Sequence, residues 1–229
     1  MEQNKLAIPI AIIIAGAIIA GAVFYSNKGK VLDKNTGTVA EEKIELAPIS
    51  DKDHIFGNPN APIVFVEYSD TECPFCKRFH ETMNQVMSEY GKDGRVAWVY
   101  RQFPIDQLHS KARKESQATE CAGEVGGNDK FWEYLNKLFS ITPSNNNLDL
   151  SLLPTIATDV GLDKSKFEEC LSSDRWNDKV EADYQSGVKA GVRGTPHTIM
   201  VVKKDGSMFP ISGAQPYATV KAAIEEALK

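Results

Sequence analysis

The pattern of apolar positions between residues 53 and 104 predicts a strand, a helix and a second strand. Residues 63–68 form an apolar run interrupted only by Glu67, as expected of a strand that is buried on both faces. Apolar side chains at helical spacing follow from residue 74 to about residue 90, and residues 96–103 form the next apolar run. Two strands joined by one helix are expected to lie parallel with a right-handed crossover, so the pattern indicates an α/β domain.

Residues 105–190 show helical periodicity throughout. Five helices are predicted: residues 109–125, residue 128 to just before Pro143, residues 151–160, a short helix capped by Asp163, and a last helix with an apolar stripe at Trp176, Val180, Tyr184 and Val188. This all-helical block is expected to be an insertion between two halves of the α/β pattern.

Residues 191–229 return to the α/β pattern. A strand is predicted at residues 197–202 and its antiparallel partner at residues 208–211, joined by a hairpin turn with Asp205-Gly206 at its centre. A helix over residues 217–228 closes the chain. The predicted domain therefore has a mixed sheet flanked by helices, with a helical subdomain inserted into it.

The first 52 residues follow a different pattern. After a short tail, residues 1–5, the segment 6–25 contains no charged side chain and is long enough for a helix to cross ~30 Å of hydrocarbon. We favour an uncleaved membrane anchor, because the apolar stretch is long for a signal peptide. The alternatives are a signal peptide cut after Ala20-Gly21-Ala22 and a buried helix. Residues 26–52 are polar and aperiodic, which predicts a flexible linker.

The composition of the chain limits the classes of binding partner and indicates the redox compartment in which the protein works. The net charge of −5 argues against nucleic acid as a partner, and 42% apolar with 25% charged residues is ordinary for a globular protein. All four cysteines follow residue 70, and an even number beyond an apolar N-terminal segment favours an oxidising compartment. Lys28, Lys30 and Lys34 favour the cytoplasmic side by the positive-inside rule, and we give this less weight than the cysteine chemistry.

The motif Cys73-Pro74-Phe75-Cys76 lies where the first strand is followed by the first helix. Cys73 is predicted at the helix N-terminus, where unpaired N–H groups and the helix dipole stabilise an anion. A thiolate there has a lowered pKa and is the nucleophile of thiol–disulfide exchange, with Cys76 as the resolving thiol. A metal site that includes His80 and a purely structural disulfide are the alternatives, but tetrahedral zinc needs a fourth ligand. We interpret His80 as a solvated or capping side chain.

With a second motif, Gly194-Thr195-Pro196, the chain resembles the thioredoxin superfamily and, within it, the DsbA-like thiol:disulfide oxidoreductases of the membrane-tethered and Gram-positive type. The resemblance covers about residues 53 to 229. It is also carried by Glu67, by Arg101-Gln102-Phe103-Pro104, by Lys130-Phe131-Trp132 and by Phe167-Glu168-Glu169-Cys170-Leu171. It implies a thioredoxin fold in two parts, residues 53–104 and 191–229, separated by a helical insertion at 105–190 and preceded here by an N-terminal transmembrane helix.

The resemblance also implies how substrates are held. Pro196 is expected to follow a cis peptide bond and to lie beside Cys73; the alternative is an ordinary trans-proline that opens a strand. The backbone of Thr195 is then expected to pair with an extended substrate chain, and Pro74 and Phe75 are expected to contact the substrate as well.

Two further expectations concern the chemistry at the cysteines. Glu67 matches the family's buried acid, which exchanges a proton with Cys76; the alternative is a solvated charge at a strand end. Phe75 departs from the family, because the best-known oxidases carry a histidine there that helps to stabilise the thiolate. We therefore expect a milder oxidant than the relatives that carry a histidine at this position.

The remaining cysteines, Cys121 and Cys170, lie on different predicted helices. We favour a structural disulfide between them, which would close a loop of about 50 residues and stabilise the fold by roughly 4 kcal/mol. Two buried thiols and a second redox pair are the alternatives.

We predict a domain that oxidises cysteine pairs in exported proteins, acting outside the cytoplasm in the periplasm or at the cell surface. Residues 6–25 tether it to the membrane, or it is secreted if they are cleaved. The exchange needs no prosthetic group and no metal. Reoxidation is expected to need a membrane partner, by resemblance a quinone-coupled DsbB-like or VKOR-like protein. The alternatives are a tethered reductase or isomerase, and a binding module whose cysteine motif is only structural.

Overall fold

The computed structural model describes residues 44–229, and a five-stranded mixed sheet lies at its centre. Its strands are β1 (His54–Gly57), β2 (Ile63–Ser69), β3 (Val96–Gln102), β4 (His197–Val202) and β5 (Ser207–Ser212). The order across the sheet is β1-β3-β2-β4-β5, with β2 and β3 parallel and the other neighbouring pairs antiparallel. The parallel pair is the one predicted from the first strand–helix–strand pattern.

Helices cover both faces of this sheet and form a separate layer beside it. Within the described residues they are α1 (Pro74–Val86), α2 (Ala112–Gly126), α3 (Asn128–Ile141), α4 (Leu153–Asp159), α5 (Lys164–Ser172), α6 (Asn177–Lys189) and α7 (Tyr217–Ala227). A π-helical turn, Met87–Gly91, extends α1, and a 3₁₀ turn, Leu150–Leu152, precedes α4.

Alternate residues of β2 point to opposite faces of the sheet, and each face has its own apolar core. Ile63 and Phe65 belong to the core that α1, α3 and α7 complete. Val64 and Val66 belong to the core on the opposite face, hereafter the second core. Burial on both faces explains why β2 is an almost uninterrupted apolar run.

The helix α6 packs on the sheet, although it lies within the predicted insertion. Its buried positions are Val180, Asp183 and Gly187, whereas Val188 is 48% exposed, so the predicted stripe is wrong at its last position. Gly187 is the reason, because a Cβ there would lie 2.7 Å from the ring of Phe103. The missing side chain lets α6 approach the sheet closely, and this turns the buried face away from Val188.

The packed chain begins before the predicted start of the domain. Ile44, Leu46 and Ile49 pack against the second core. The guanidinium of Arg101 donates hydrogen bonds to two carbonyl oxygens of the same segment, at 3.1 and 3.2 Å. The predicted linker, residues 26–52, is therefore too long at its C-terminal end, because three closely spaced apolar side chains cover the sheet.

The helices α2, α4 and α5 form a further core with one side of α3. Tyr134 and Leu138 of α3 belong to this helical core, whereas Phe131 and Trp132 belong to the core on the sheet. The helix α3 is therefore shared by both cores and attaches the inserted helices to the sheet.

The predicted tail and membrane segment, residues 1–5 and 6–25, lie outside the described residues. In the part of the chain that the structure does describe, each helix is too short or too polar to span a bilayer.

Candidate active site

Strand β2 ends at Ser69, and residues 70–72, hereafter the active-site loop, lead from it to α1. Cys73 immediately precedes the helix in an extended conformation (φ −79°, ψ 121°), and Pro74 is its first residue. No side chain caps this helix N-terminus. Backbone N–H groups of the first helical turn are therefore available to the sulfur of Cys73.

Cys73 is 5% exposed, and its thiol is easier to ionise than an ordinary thiol. Its pKa is lowered to about 6, chiefly because the thiol of Cys76 donates a hydrogen bond to its thiolate. The N–H groups of Cys76 and Phe75 and the side chain of Thr195 act in the same direction, while burial opposes them. Near neutral pH the sulfur of Cys73 is therefore largely a thiolate, the form that attacks disulfides.

The thiol of Cys76 has the opposite character. It is fully buried, and burial raises its pKa well above the ordinary value, with further contributions from the thiolate of Cys73 and the carboxylate of Glu67. The N–H of Asp70 donates a hydrogen bond to its sulfur at 3.4 Å. Both cysteines are free thiols in the structure, and only Cys73 is suited to act as a nucleophile.

The loop before β4 lies against the sulfur of Cys73. The peptide bond between Thr195 and Pro196 is cis. The carbonyl oxygen of Thr195 is 3.5 Å from the sulfur of Cys73, and the carbonyl oxygen of Pro196 accepts a hydrogen bond from Gly213 at 2.9 Å. The structure thus brings Thr195 and Pro196 to the cysteine motif across more than a hundred residues of sequence.

The two residues between the cysteines form the exposed part of the site. Pro74 is exposed, and Phe75 exposes 54% of its surface. The guanidinium of Arg78 lies 5.2 Å from the centre of the Phe75 ring, a cation–π contact. Arg78 was not predicted from the sequence as a site residue. The only sequence signal for its role is its position on the first helix, five residues after Cys73.

Glu67 is fully buried in β2, so the interpretation as a solvated charge at a strand end is wrong. Its Oε2 accepts a hydrogen bond from the indole Nε1 of Trp98 at 3.0 Å, while Oε1 has no partner among residues 44–229. Burial raises the pKa of Glu67 to about 7. The carboxyl group therefore changes its charge near neutral pH, within electrostatic reach of Cys76.

Two acidic side chains of the active-site loop are also buried, and sequence reasoning missed them. Asp70 accepts hydrogen bonds from the N–H of Ile105 at 2.7 Å and pairs with Nδ1 of His109 at 3.0 Å. Glu72 accepts a hydrogen bond from the N–H of Asn146 at 2.7 Å. These bonds join the active-site loop to segments that are distant in sequence, so no local pattern marks them.

His80 is buried, which corrects its interpretation as a solvated or capping residue. Its Nε2 is 2.6 Å from Oδ1 of Asn136, and its ring packs against Trp98 and Phe139. Burial lowers its pKa to about 4, so the ring is neutral at physiological pH. In residues 44–229 no three metal-ligating side chains lie together, and His80 is part of an aromatic cluster instead.

A disulfide joins Cys121 of α2 to Cys170 of α5, with an S–S distance of 1.99 Å. Both residues are buried in the helical core. The bond links two helices of the insertion and lies in a different core from Cys73 and Cys76.

Residues 50–226 match the model of a protein family described as Thioredoxin. The match covers well over half of the chain. The chain therefore belongs to the thioredoxin family.

Several solved structures share this fold. BdbD from Bacillus subtilis, in its oxidised form, is 23% identical with a TM-score of 0.69, over 81% of this chain and 97% of that one. Alpha-DsbA1 from Wolbachia pipientis is 23% identical with a TM-score of 0.68, over 80% of this chain and 93% of that one. DsbA2 from Pseudomonas aeruginosa is 23% identical with a TM-score of 0.64, over 79% of this chain and 95% of that one. At this identity the likeness concerns the fold alone.

Curated relatives share the sequence over a shorter range. The Na(+)/H(+) antiporter NhaA 1 of Mycolicibacterium gilvum (strain PYR-GCK) is 34% identical over 125 residues, which are 54% of this chain and 19% of the antiporter. The protein of the same name from Mycolicibacterium vanbaalenii is 35% identical, again over 54% of this chain and 19% of the antiporter. The matched region thus spans about a fifth of the length of these relatives.

Proposed function

We propose that this protein is a thiol:disulfide oxidoreductase that introduces disulfide bonds into exported proteins. The observation that carries the proposal is the pairing of two unlike thiols at one helix N-terminus. The pKa of Cys73 is lowered to about 6, while burial holds the pKa of Cys76 well above its ordinary value. Beside them, the backbone of Thr195 lies 3.5 Å from the sulfur of Cys73, where it can pair with a substrate chain.

The reaction begins from the oxidised enzyme, in which Cys73 and Cys76 form a disulfide. A substrate thiolate attacks the sulfur of Cys73, forms a mixed disulfide with it and expels the thiolate of Cys76. A second thiolate of the substrate then attacks the substrate sulfur of the mixed disulfide and expels the thiolate of Cys73. The substrate leaves with a new disulfide bond, and the enzyme holds the two electrons.

Glu67 supplies the proton that the expelled thiolate of Cys76 takes up. A carboxyl group with a pKa of about 7 is populated in both forms near neutral pH, which suits an acid that must also be reprotonated. The charge of Glu67 acts on the pKa of Cys76, which supports a direct exchange between the two groups. The hydrogen bond from Trp98 holds the carboxyl group in place.

The stabilised thiolate of Cys73 favours the oxidase direction. A dithiol pair is a strong oxidant when its reduced form is the more stable one, and the helix N-terminus stabilises that form here. The tethered reductase remains the second candidate, because Phe75 supplies neither a charge nor a hydrogen bond to the thiolate. A measured reduction potential separates the two.

The catalytic domain acts outside the cytoplasm. The disulfide between Cys121 and Cys170 supports an oxidising compartment, since such bonds are rare where thiols are kept reduced. The uncharged segment 6–25 anchors the chain in the membrane or is removed as a signal peptide. A membrane protein of the DsbB-like or VKOR-like kind, coupled to quinone, reoxidises the active-site pair.

The test is the oxidation of a reduced, unfolded substrate protein by the full chain, together with equilibration in glutathione buffers. We expect catalysed oxidation and a reduction potential nearer that of DsbA, about −120 mV, than that of thioredoxin, about −270 mV. Cys73→Ser is expected to abolish exchange, while Cys121→Ala with Cys170→Ala preserves it. A potential near that of thioredoxin supports the reductase, and a wild-type protein without catalysed exchange is a binding module.

A further inference from the structure

The carboxyl groups of Glu72 and Glu115 meet in the protein interior beside the active-site loop. Both residues are 0% exposed, and Glu72 of the active-site loop lies close enough to Glu115 of α2 to raise the pKa of its carboxyl group. Neither oxygen of Glu115 accepts a hydrogen bond from a donor within residues 44–229, and the same holds for Oε1 of Glu72. Two ionised carboxylates in this position would place two negative charges close together in the protein interior, which is very costly.

The titratable groups that face Glu115 do not remove this cost. Asp70 and Glu72, both in the active-site loop, are acidic, and Tyr134 of α3 is a neutral phenol. The neutral side chain of Thr71 acts in the opposite sense and lowers the pKa of Glu115. Burial is the largest effect, and it raises the pKa of Glu115 to about 9.

The basic side chains close to Glu115 in the sequence are bound elsewhere. Lys111 and Lys114 each donate a hydrogen bond from Nζ to a main-chain carbonyl oxygen at 2.6 Å, and Lys114 also pairs with an aspartate. His109 pairs with Asp70, and Arg113 pairs with Asp106 and Glu181. Each of these cations thus has another partner, so a bound proton is needed to neutralise one of the two carboxylates, Glu72 or Glu115.

We propose that Glu72 and Glu115 share one proton in the folded protein, and that this carboxyl pair positions the active-site loop that presents Cys73. The proposal rests on the proposed function, because it assigns positioning residues to the same site. Protonated Glu115 donates to the carboxylate of Glu72, whose other oxygen accepts the N–H of Asn146 at 2.7 Å. Glu72 is therefore held from two sides, by α2 and by the turn after α3.

That turn has a backbone conformation that few residues adopt. Ser144, Asn145 and Asn146 have φ values of 63°, 56° and 64°, in the left-handed region, although none of them is glycine. Such a conformation persists where the surroundings fix it. Glu72 supplies two of the fixing contacts, because its carbonyl oxygen accepts the N–H of Asn145 at 2.8 Å and its carboxylate accepts that of Asn146.

The pair affects the nucleophile in two ways. Cys73 follows Glu72 directly in the chain, so a displaced Glu72 moves the start of α1 and the N–H groups that face the thiolate. The shared proton also limits the pair to one negative charge, whereas a second charge so close would raise the pKa of Cys73. The proton on the pair therefore protects the low pKa of Cys73.

Infrared difference spectroscopy tests the shared proton without relying on activity. Near pH 8, Glu67 with its pKa of about 7 is mostly ionised, whereas Glu115 with its pKa of about 9 keeps its proton. We expect the carbonyl stretch of a protonated carboxyl group in the full wild-type chain, its loss in Glu115→Gln, and its retention in the control Glu81→Gln, an exposed site on α1. A wild-type spectrum without this band, or a Glu115→Gln spectrum that keeps it, overturns the proposal.

Exchange kinetics and the thiolate titration of Cys73 test the positioning role. Glu115→Gln keeps a donor for Glu72 and is expected to exchange within about twofold of wild type, whereas Glu115→Leu removes the donor. Glu72 then lacks its donor and is expected to shift together with the start of α1, so we expect Glu115→Leu to lose about tenfold in rate and to show a raised pKa of Cys73. Equal rates and equal titration curves for the Leu variant and wild type overturn the positioning role.

Two outcomes keep the proposals separate. If wild type catalyses no exchange, the proposed function fails, and the infrared comparison still decides whether the pair holds a proton. If Glu115→Leu does not fold, Glu72→Gln replaces it, because an amide at position 72 donates to Glu115 and removes the need for the proton. Because the pKa of Glu115 is about 9, we expect the wild-type exchange rate to change near pH 9, and we expect Glu72→Gln to lose this change. Retention of that change overturns the proposal.

Discussion

The indole Nε1 of Trp98 donates a hydrogen bond to Oε2 of Glu67 at 3.0 Å, and both side chains are fully buried. The two residues lie on the neighbouring parallel strands β3 and β2. Burial favours the neutral acid and the hydrogen bond favours the carboxylate; burial has the larger effect, since the pKa of Glu67 is raised to about 7. The carboxyl group therefore titrates where the enzyme is proposed to work.

Replacing Trp98 by Phe tests this balance. The substitution removes the donor and leaves an aromatic ring, so the pKa of Glu67 is expected to rise further. A hydrogen bond to a charged group contributes about 1.5–3 kcal/mol, which corresponds to a rise of roughly one to two pH units. We expect the pH profile of thiol–disulfide exchange to shift upward by that amount.

Trp132→Phe is the matched control for this prediction. Trp132 is also buried, and its Nε1 has no partner among residues 44–229, so the control loses the indole without changing a bond to Glu67. Its pH profile should coincide with that of wild type. A Trp98→Phe profile that also coincides with wild type would show that Glu67 is not the group that titrates.

The absorbance of the thiolate against pH should give a midpoint near the pKa of about 6 for Cys73 in the reduced protein. Cys76→Ser removes the thiol that donates to Cys73, and the midpoint should then move upward, although the variant should still trap mixed disulfides. Cys73→Ser should show no titration in this range. A wild-type midpoint above pH 8 contradicts the assignment of Cys73 as the nucleophile.

Long, strongly patterned segments made most of the fold predictable. The apolar runs of β2, β3 and β4 are buried on the sheet, and their periodicity needs no tertiary information. β1, residues His54–Gly57, escaped prediction because a four-residue edge strand is defined by its partner β3 more than by its own pattern. Val188 was misplaced for a related reason, since the packing of Gly187 decides which face of α6 is buried.

The residues of the site likewise fall into two groups, those marked by a local sequence motif and those brought together only by tertiary packing. The cysteine motif and the loop with Pro196 are local signatures, and they led from sequence to the reacting groups. The pair of Glu72 and Glu115 is formed by residues 43 positions apart, and it depends on how α2 packs against the active-site loop. The pairing of Asp70 with His109 depends on the same packing, so neither contact leaves a pattern in the sequence.

The disulfide between Cys121 and Cys170 is expected to stabilise the fold without taking part in exchange. Mass spectrometry of the alkylated, non-reduced protein should find the two residues linked. Replacing both by Ala opens a loop with a sequence separation of 49 and should lower the free energy of unfolding by about 4 kcal/mol, with exchange close to normal. A double variant that unfolds like wild type but exchanges slowly would indicate a second redox pair.

Stability should depend on pH differently in the two redox states. The folded pKa of Cys73, about 6, lies below its ordinary value of 9.0, so the thiolate stabilises the reduced fold increasingly as pH rises from about 6 to 9. This stabilisation is lost as pH falls through 6, and it is absent when Cys73 is in a disulfide.

The raised pKa of Glu67 acts in the opposite direction in both redox states, lowering stability as pH rises from 4.5 to about 7. The difference in unfolding free energy between the reduced and oxidised forms should therefore grow with pH, by at most about 1.4 kcal/mol per pH unit. Thermal unfolding across this range measures it, with the bond between Cys121 and Cys170 intact. A difference that stays constant with pH would contradict the lowered pKa of Cys73.

Phe75 is expected to influence the reduction potential of the Cys73–Cys76 pair. Its ring contacts the guanidinium of Arg78 at 5.2 Å and offers the thiolate of Cys73 no hydrogen bond. Phe75→His introduces a donor at the helix N-terminus, where it stabilises the reduced form. A hydrogen bond to a charged group contributes about 1.5–3 kcal/mol, and 30 mV corresponds to ~1.4 kcal/mol for two electrons. The reduction potential should therefore rise by roughly 30–60 mV.

Phe75→Leu is the control that separates the effect of the added imidazole from the effect of losing the phenyl ring. It removes the contact with Arg78 but adds no donor, so its potential should stay close to that of wild type. Equilibration of each variant in glutathione buffers gives the potentials, and thermal unfolding of both redox states gives an independent measure. The reduced form should unfold at the higher temperature in wild type, and by a wider margin in Phe75→His. If the oxidised wild-type form is clearly the more stable one, the stabilised thiolate does not dominate, and the tethered reductase replaces the oxidase.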